Sequence, residues 1–365
     1  MRILFCIDSL TGGGAEKLLL RYIDILKKNI NCDITLFIIS GYGALMDCIP
    51  AQLQVFIGDD LTDEDAFIFN HQVFDIEVGF LEGRAIKFIA LRNTLAIKVG
   101  WIHTDMLNNN WCQDYYKEGM QEQMYNIMDY IVCVNDYCVR QFHCAFPNVQ
   151  TKVLVCNNVL DFTLLDKKKK HEPNIYELNK GIIRLCFVGR LTKEKHPDIA
   201  ILAIKHLIHR GYTVFLNVLG EGYLYDELND LIKSNKLENN VRLLGYYSEP
   251  YEIIAACDLL ISISDIEGGP LNVAEAYYLG VPIVSSHSGG SDYFERSFGG
   301  LIYTEISPIL LSKSIESLFA NNARLYLQLR SQLCYEKIKK EYGEKTLISF
   351  FYNLKQEISS RKNPI

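Results

Sequence analysis

Short continuous apolar runs alternate along the chain with stretches in which apolar residues recur at helical spacing. The first run, Arg2–Ile7, predicts a buried strand. A glycine turn follows, then an amphipathic helix from about Ala15 to Lys28, whose Leu18, Leu19, Tyr22, Ile25 and Leu26 keep the helical period. Further strands are predicted at Ile34–Ile39, Gln54–Ile57, Ile76–Phe80, Ala96–Ile102, Ile131–Val134 and Lys152–Val155. The alternation resumes at Ile183–Val188, Val214–Leu219, Val241–Leu244, Leu259–Ser264 and Ile283–Ser286, with helical stretches between them. Fully apolar strands separated by helices predict an α/β protein with parallel sheets covered on both faces. The C-terminal stretch reads as helical, with Tyr342, Phe350, Phe351 and Tyr352 as aromatic anchors.

The charged run Lys167–Lys170 and the HEPN after it have no apolar period and read as a linker. This divides the 365 residues into two doubly wound, Rossmann-like domains, 1–165 and 166–345, with 346–365 as a helix returning to the first. Such an arrangement predicts a ligand cleft between the C-terminal ends of the two sheets.

Charge narrows the partners. Lys and Arg number 37 and Asp and Glu 44, a net −7, which excludes a global grip on nucleic acid. Residues 1–165 carry a net −8 and residues 166–365 a net +1, so a phosphate site belongs in the second half. Within the acidic half, 83–104 alone is basic and acid-free. Its Arg84, Lys87, Arg92 and Lys98 offer weak contact with an anionic membrane surface, unless they are ordinary cations snorkelling from a core segment. No apolar run approaches the ~18 residues of a membrane span or forms an export signal. With eleven scattered cysteines, this predicts a cytoplasmic chain with reduced, buried thiols. Cys133, Cys138 and Cys144 match no zinc spacing.

Four places carry candidate chemistry. In EGGPLNVAE, Glu267 lies in a loop past a strand, Pro270 suits the first helical turn, and Glu275 falls in the second turn. A helix start favours a phosphate, and carboxylates beside it suit sugar or ribose hydroxyls. In GRLTKEK, Gly189 permits a tight turn, and Arg190 and Lys195 suit a diphosphate. Gly12, Gly13 and Gly14 form a turn that is neither a dinucleotide fingerprint nor a P-loop; it allows close approach by a phosphate or sugar. In WIHTD, His103 and Asp105 end a strand and would project into the same cleft, His103 as a hydrogen-bond donor or an acid/base. Asp63, Glu64 and Asp65 sit in an acidic stretch and read as a solvated loop, with no metal site.

In this order, and most strongly over 182–290 with EGGPLNVAEAYYLGVPIVSSHSGG, these sites resemble the retaining family 4 glycosyltransferases of the GT-B fold. The tracts FDIEVGFLEGRAIKFIA and VGWIHTD are similar to bacterial polysaccharide-assembly members. The resemblance implies that Arg190 and Lys195 hold the donor diphosphate, Glu275 the nucleotide ribose and Glu267 the donor-sugar hydroxyls. Gly189, Gly268, Gly269, Pro270 and Leu271 would line the donor site, His103 would face the donor sugar, and Gly13 and Gly14 would line the phosphate and acceptor side. It further implies transfer of a hexose or N-acetylhexosamine from a nucleotide sugar, UDP-linked by preference, to a glycan or lipid-linked acceptor. That transfer needs neither metal nor cofactor and takes place at the inner face of the membrane. The chain departs from the family at Gly268-Gly269, where a phenylalanine is common, and at Ser291-Asp292, where Pro-Glu is usual. A catalytically silent GT-B subunit and a nucleotide-sugar epimerase are the alternatives.

Overall fold

A computed structural model describes residues 1–168, 181–320 and 331–362. Two compact units are present: Met1–Val159 with Glu344–Ile365, and Leu160–Gly343.

In the first unit, seven parallel strands form one sheet in the order β3-β2-β1-β4-β5-β6-β7. They are β1 (Arg2–Ile7), β2 (Asp33–Ile38), β3 (Gln54–Ile57), β4 (Ile76–Phe80), β5 (Ile97–Ile102), β6 (Tyr130–Cys133) and β7 (Lys152–Val155). The helices between them are α1 (Gly14–Asn29), α2 (Asp63–Asn70), α3 (Arg84–Leu91), α4 (Met120–Ile127) and α5 (Asp136–Ala145). Strand β4 is buried along its whole length, which is why it reads as an uninterrupted apolar run apart from Glu77 and Gly79. The order of the strands reverses between β1 and β4, where Phe5 lies beside Val78 and Cys6 beside Gly79. The helix Glu344–Lys362 completes this unit. Its Phe351 is fully buried, with its ring 6.0 Å from Phe5 and 6.4 Å from Trp101, while Tyr352 is exposed and anchors nothing.

In the second unit, six parallel strands follow the order β10-β9-β8-β11-β12-β13. They are β8 (Ile182–Val188), β9 (Thr213–Leu219), β10 (Val241–Gly245), β11 (Leu259–Ser262), β12 (Ile283–Ser286) and β13 (Leu301–Thr304). Around them pack α6 (Phe162–Lys168), α7 (Pro197–His209), α8 (Tyr225–Ser234), α9 (Tyr251–Ala256), α10 (Leu271–Tyr278), α11 (Gly289–Phe298) and α12 (Pro308–Ala320). Both faces of the sheet are apolar. Leu185, Phe187, Val218 and Ile261 pack towards α7 and α12, and Cys186, Leu219, Leu260 and Ile283 pack towards α10 and α11. The strand order reverses between β8 and β11.

Three expectations change. Lys167 and Lys168 end α6 instead of opening a linker, and the rest of the expected linker lies outside the described residues. Asp63, Glu64 and Asp65 are the first turn of α2: Thr62 caps it, accepting from the Asp65 amide at 3.1 Å, and Asp65 reaches back to the cap. Acids here stabilise the helix dipole. The four cations of 83–104 are engaged within the fold. Arg84 pairs with Asp8 at 3.3 Å and Lys87 donates to the Tyr115 carbonyl at 2.6 Å. Arg92 pairs with fully buried Glu77 at 3.0 Å and stacks over Phe69, and buried Lys98 donates to the carbonyls of Ala90 and Arg92. This stretch is helix and core strand, as the reading of cations snorkelling from a core segment allowed.

Candidate active site

In doubly wound sheets, ligands bind beyond the C-terminal strand ends where the strand order reverses. The loops after β1, β4, β8 and β11 occupy those places and carry the candidate residues, except His103 and Asp105, which follow the neighbouring strand β5.

In the second unit the loop after β8 is tied to β9. Gly189 donates to Leu219 and Leu191 to Glu221, at 3.0 and 2.8 Å, and the buried Leu191 side chain anchors the loop. Gly189 itself has room for a side chain: an added Cβ would meet only Phe187, at 3.6 Å. The tight approach falls instead on Gly220, at φ +135°, where a Cβ would lie 1.9 Å from the Gly189 carbonyl.

The loops after β8 and β11 are clamped together. The Asp265 amide and the Ser264 hydroxyl both donate to the Glu194 carbonyl, at 3.0 and 3.1 Å, and His196 meets Asp265 at 2.7 Å. Across this clamp Lys195 Nζ lies 2.5 Å from Glu267 Oε1, with both side chains mostly enclosed. Arg190 is different: 63% exposed, it touches Glu194 only at 3.5 Å. The cation loop and the acidic loop therefore form one cluster, with Lys195 held and Arg190 projecting into solvent.

Pro270 precedes α10 as its cap residue, one position earlier than expected, and Leu271 opens the helix. Gly268 and Gly269 lie between Glu267 and this cap. Asn272, which sequence reasoning passed over, donates to the Val188 carbonyl at 2.9 Å and fixes the helix start to the end of β8. Glu275 is largely buried in the second turn. The Gly290 amide donates to the Glu267 carbonyl at 2.8 Å, so the Gly-Gly turn braces the loop that carries Glu267. At the unusual Ser291-Asp292, Ser291 joins a buried hydroxyl chain with Ser285 and Ser288, and Asp292 meets His287 at 3.0 Å.

In the first unit the glycine turn is already filled. The Glu16 carboxylate accepts from the amides of Gly12 and Gly13, at 2.7 and 3.1 Å, and from the Thr11 hydroxyl. Gly13 caps α1 and Gly14 is its first residue. A phosphate on the Gly13 amide would have to displace this internal anion.

His103 follows β5, its ring 4.6 Å from Phe80, with Nε2 enclosed and without a hydrogen-bond partner. Burial pushes its pKa down to about 3, which keeps the imidazole neutral near pH 7. In that state it suits a hydrogen bond to a hydroxyl better than storage of a proton. Asp105 is buried. It accepts from the amides of Leu107 and Asn108, both at 3.2 Å, and from Tyr137, and so shapes the turn.

Sequence reasoning missed Glu82. Buried after β4, it accepts from the His103 amide at 3.1 Å and from Trp111 Nε1 at 2.8 Å. Burial raises its pKa, and these two hydrogen bonds oppose the rise. The preceding Leu81 has φ +105°, a left-handed conformation that a bulky side chain rarely adopts and that marks stored strain. The available signal was an acid inside FLEGR, closing a buried strand.

Residues 168–345, just under half of the chain, match the family described as Glycosyl transferases group 1. It is 32% identical over 189 residues to a glycosyltransferase of Methanocaldococcus jannaschii, covering 47% of this chain and 45% of that one. It is 30% identical over 161 residues to the N-acetylgalactosamine-N,N'-diacetylbacillosaminyl-diphospho-undecaprenol 4-alpha-N-acetylgalactosaminyltransferase of Campylobacter jejuni, covering 43% and 39%. The chain thus matches less than half the length of these relatives. Over its full extent the fold is similar to that of Anabaena HepE, solved in complex with UDP and glucose, at a TM-score of 0.73 and 19% identity, covering 98% of this chain and all of that one. The architecture is the GT-B fold that the family resemblance implied, and the parallel sheets are those that the alternating strands and helices predicted.

Proposed function

We propose that the chain is a retaining glycosyltransferase of cell-envelope polysaccharide assembly. It moves a hexose or N-acetylhexosamine from a UDP-sugar to a glycan or lipid-linked acceptor, without a metal. The observation that carries this reading is the Lys195–Glu267 pair with Arg190 beside it, on loops clamped together where the second sheet reverses its strand order. The relatives' names, and the UDP and glucose held by HepE, support the donor class.

In the transfer, the bond between the anomeric carbon and the diphosphate oxygen breaks and the oxygen gains negative charge. Arg190, Lys195 and the start of α10 stabilise that charge, which is the largest kind of contribution a preorganised site makes. Without donor, Lys195 and Glu267 satisfy one another. With donor, Lys195 turns to the phosphate and Glu267 accepts from sugar hydroxyls, while Glu275 takes the ribose. The acceptor hydroxyl attacks the same face of the sugar, and its proton leaves on the departing phosphate oxygen. Neutral His103 supplies a hydrogen bond and no proton.

A nucleotide-sugar panel read by thermal shift tests the reading, because a ligand that binds only the folded state raises the melting temperature. A UDP-sugar should raise it, and the same donor should be hydrolysed slowly in EDTA. Binding with neither hydrolysis nor transfer would leave a silent GT-B subunit. Activity lost on chelation and restored by Mn²⁺ would overturn the metal-free mechanism.

A further inference from the structure

The chain has two tryptophans with opposite surroundings. Trp101 lies wholly inside the first unit, while Trp111 is 42% exposed. An exposed tryptophan is usually free to rotate, but this one is not. Its indole N–H is tied to buried Glu82, and its ring packs so closely over Gly83 that an added Cβ would lie 2.9 Å from it. Tyr115, 40% exposed, stands at 89° to the indole with ring centres 6.0 Å apart, and the Arg84 guanidinium lies over its face at 5.7 Å.

The loop beneath both rings is fixed throughout. Asn110 and Gln121 exchange hydrogen bonds, Cys112 is buried, and Tyr116 donates to the carbonyls of Glu82 and Gly83 at 3.0 and 2.9 Å. The polar edge of the indole is therefore consumed by the protein, and what the side chain offers to solvent is apolar, electron-rich ring. The face of such a ring matches the C–H face of a pyranose, whose hydrogens carry partial positive charge. The Glu82 carboxylate that holds Trp111 through one oxygen holds the His103 main-chain amide through the other, so one buried acid ties the Trp111 loop to the segment that carries His103. A membrane interface is the other use for such a tryptophan. Exposed Asp114 and Glu118 flank the loop, and an anionic leaflet would repel them.

Building on the proposed transferase reading, we infer that Trp111 and Tyr115 form a stacking platform for a sugar ring of the acceptor glycan, with Glu82 as its positioning residue.

The full chain, labelled with a fluorophore, would be applied to an array of bacterial envelope oligosaccharides, and the strongest glycan used in solution. That glycan should protect Trp111 from acrylamide; Trp101 is inaccessible, so quenching reports on the platform alone. Trp111→Ala should weaken glycan binding by about 5–10-fold, the scale of one aromatic contact. Trp111→Phe, which keeps a face but loses the tether, should fall between, and the UDP thermal shift should stay unchanged in both. No glycan bound, undiminished binding by Trp111→Ala, or Trp111 shielded by phosphatidylglycerol vesicles and not by glycan would each overturn the platform. A wild-type chain that binds the glycan but no UDP-sugar would overturn the transferase reading and leave the platform standing.

Discussion

Two cations of the same loop are expected to behave differently when removed. Arg190→Ala and Lys195→Ala should each lower turnover by about 100-fold, the scale of losing one preorganised charge donor. Only Lys195→Ala should also lower the melting temperature without ligand, since it leaves the enclosed Glu267 carboxylate unpaired, while exposed Arg190 makes only a long surface pair with Glu194. Their site was legible because a cation loop and an acidic loop each follow an apolar strand. Glu82 was not legible, since its meaning depends on His103 and Trp111, more than twenty residues further along the chain. Asp105 looked equivalent to His103 in sequence, yet amides two and three residues on claim it. His103 makes a pH prediction. Its folded pKa, about 3, lies below the unfolded value, so the unfolded chain takes up the proton first. The stability it contributes is complete above about pH 6.5 and is lost as pH falls towards 3. The drop in urea midpoint between pH 7.5 and pH 5 should therefore be smaller in His103→Gln, and a rate profile that shows a limb near pH 6.5 removed by this variant would contradict a neutral imidazole.

Among elements, strands buried on both faces announced themselves, because their runs are apolar apart from single residues such as Glu77 and Lys98. Strand β13 did not: it is four residues long, lies at the sheet edge after Gly299-Gly300, and leaves Ile302 and Tyr303 half-buried. Turn glycines were harder to weigh, because sequence shows where a turn falls and not which backbone presses on it. The structure moves the requirement from Gly189 to Gly220. Gly189→Ala should therefore fold within about 0.5 kcal/mol of the parent, whereas Gly220→Ala must both adopt a left-handed backbone and push away the Gly189 carbonyl, at more than about 1–3 kcal/mol. Urea unfolding of the two variants measures this directly. The helix Glu344–Lys362 offers a matched pair. Phe351→Ala empties a fully buried site against Phe5 and Trp101 and should cost about 3–5 kcal/mol, while exposed Tyr352→Ala should stay within about 0.5 kcal/mol.

At the scale of the whole molecule, composition excluded partners better than it located them. The net charge and its imbalance between the halves bear on long-range fields, which sum over all charges. The cations of 83–104 show the limit of that reasoning, because a basic stretch attracts a membrane only where its charges reach solvent. Among the described residues no helix is long and apolar enough to span a membrane, and Arg92 and Lys98 are consumed by Glu77 and by main-chain carbonyls. Replacing Arg92 with Gln should therefore act on folding: Glu77 is fully buried, and breaking such a pair from one side costs about 3–5 kcal/mol. Arg84 and Lys87, which keep partial exposure, are the fair test of surface attraction. Four cations at an anionic surface would contribute roughly 1 kcal/mol each, but two engaged ones on a unit carrying excess acid should contribute little. Flotation on phosphatidylglycerol vesicles should match flotation on neutral vesicles, and Arg84→Gln with Lys87→Gln should change neither. A clear preference for the anionic vesicles, abolished by that double replacement, would return the stretch to the membrane surface.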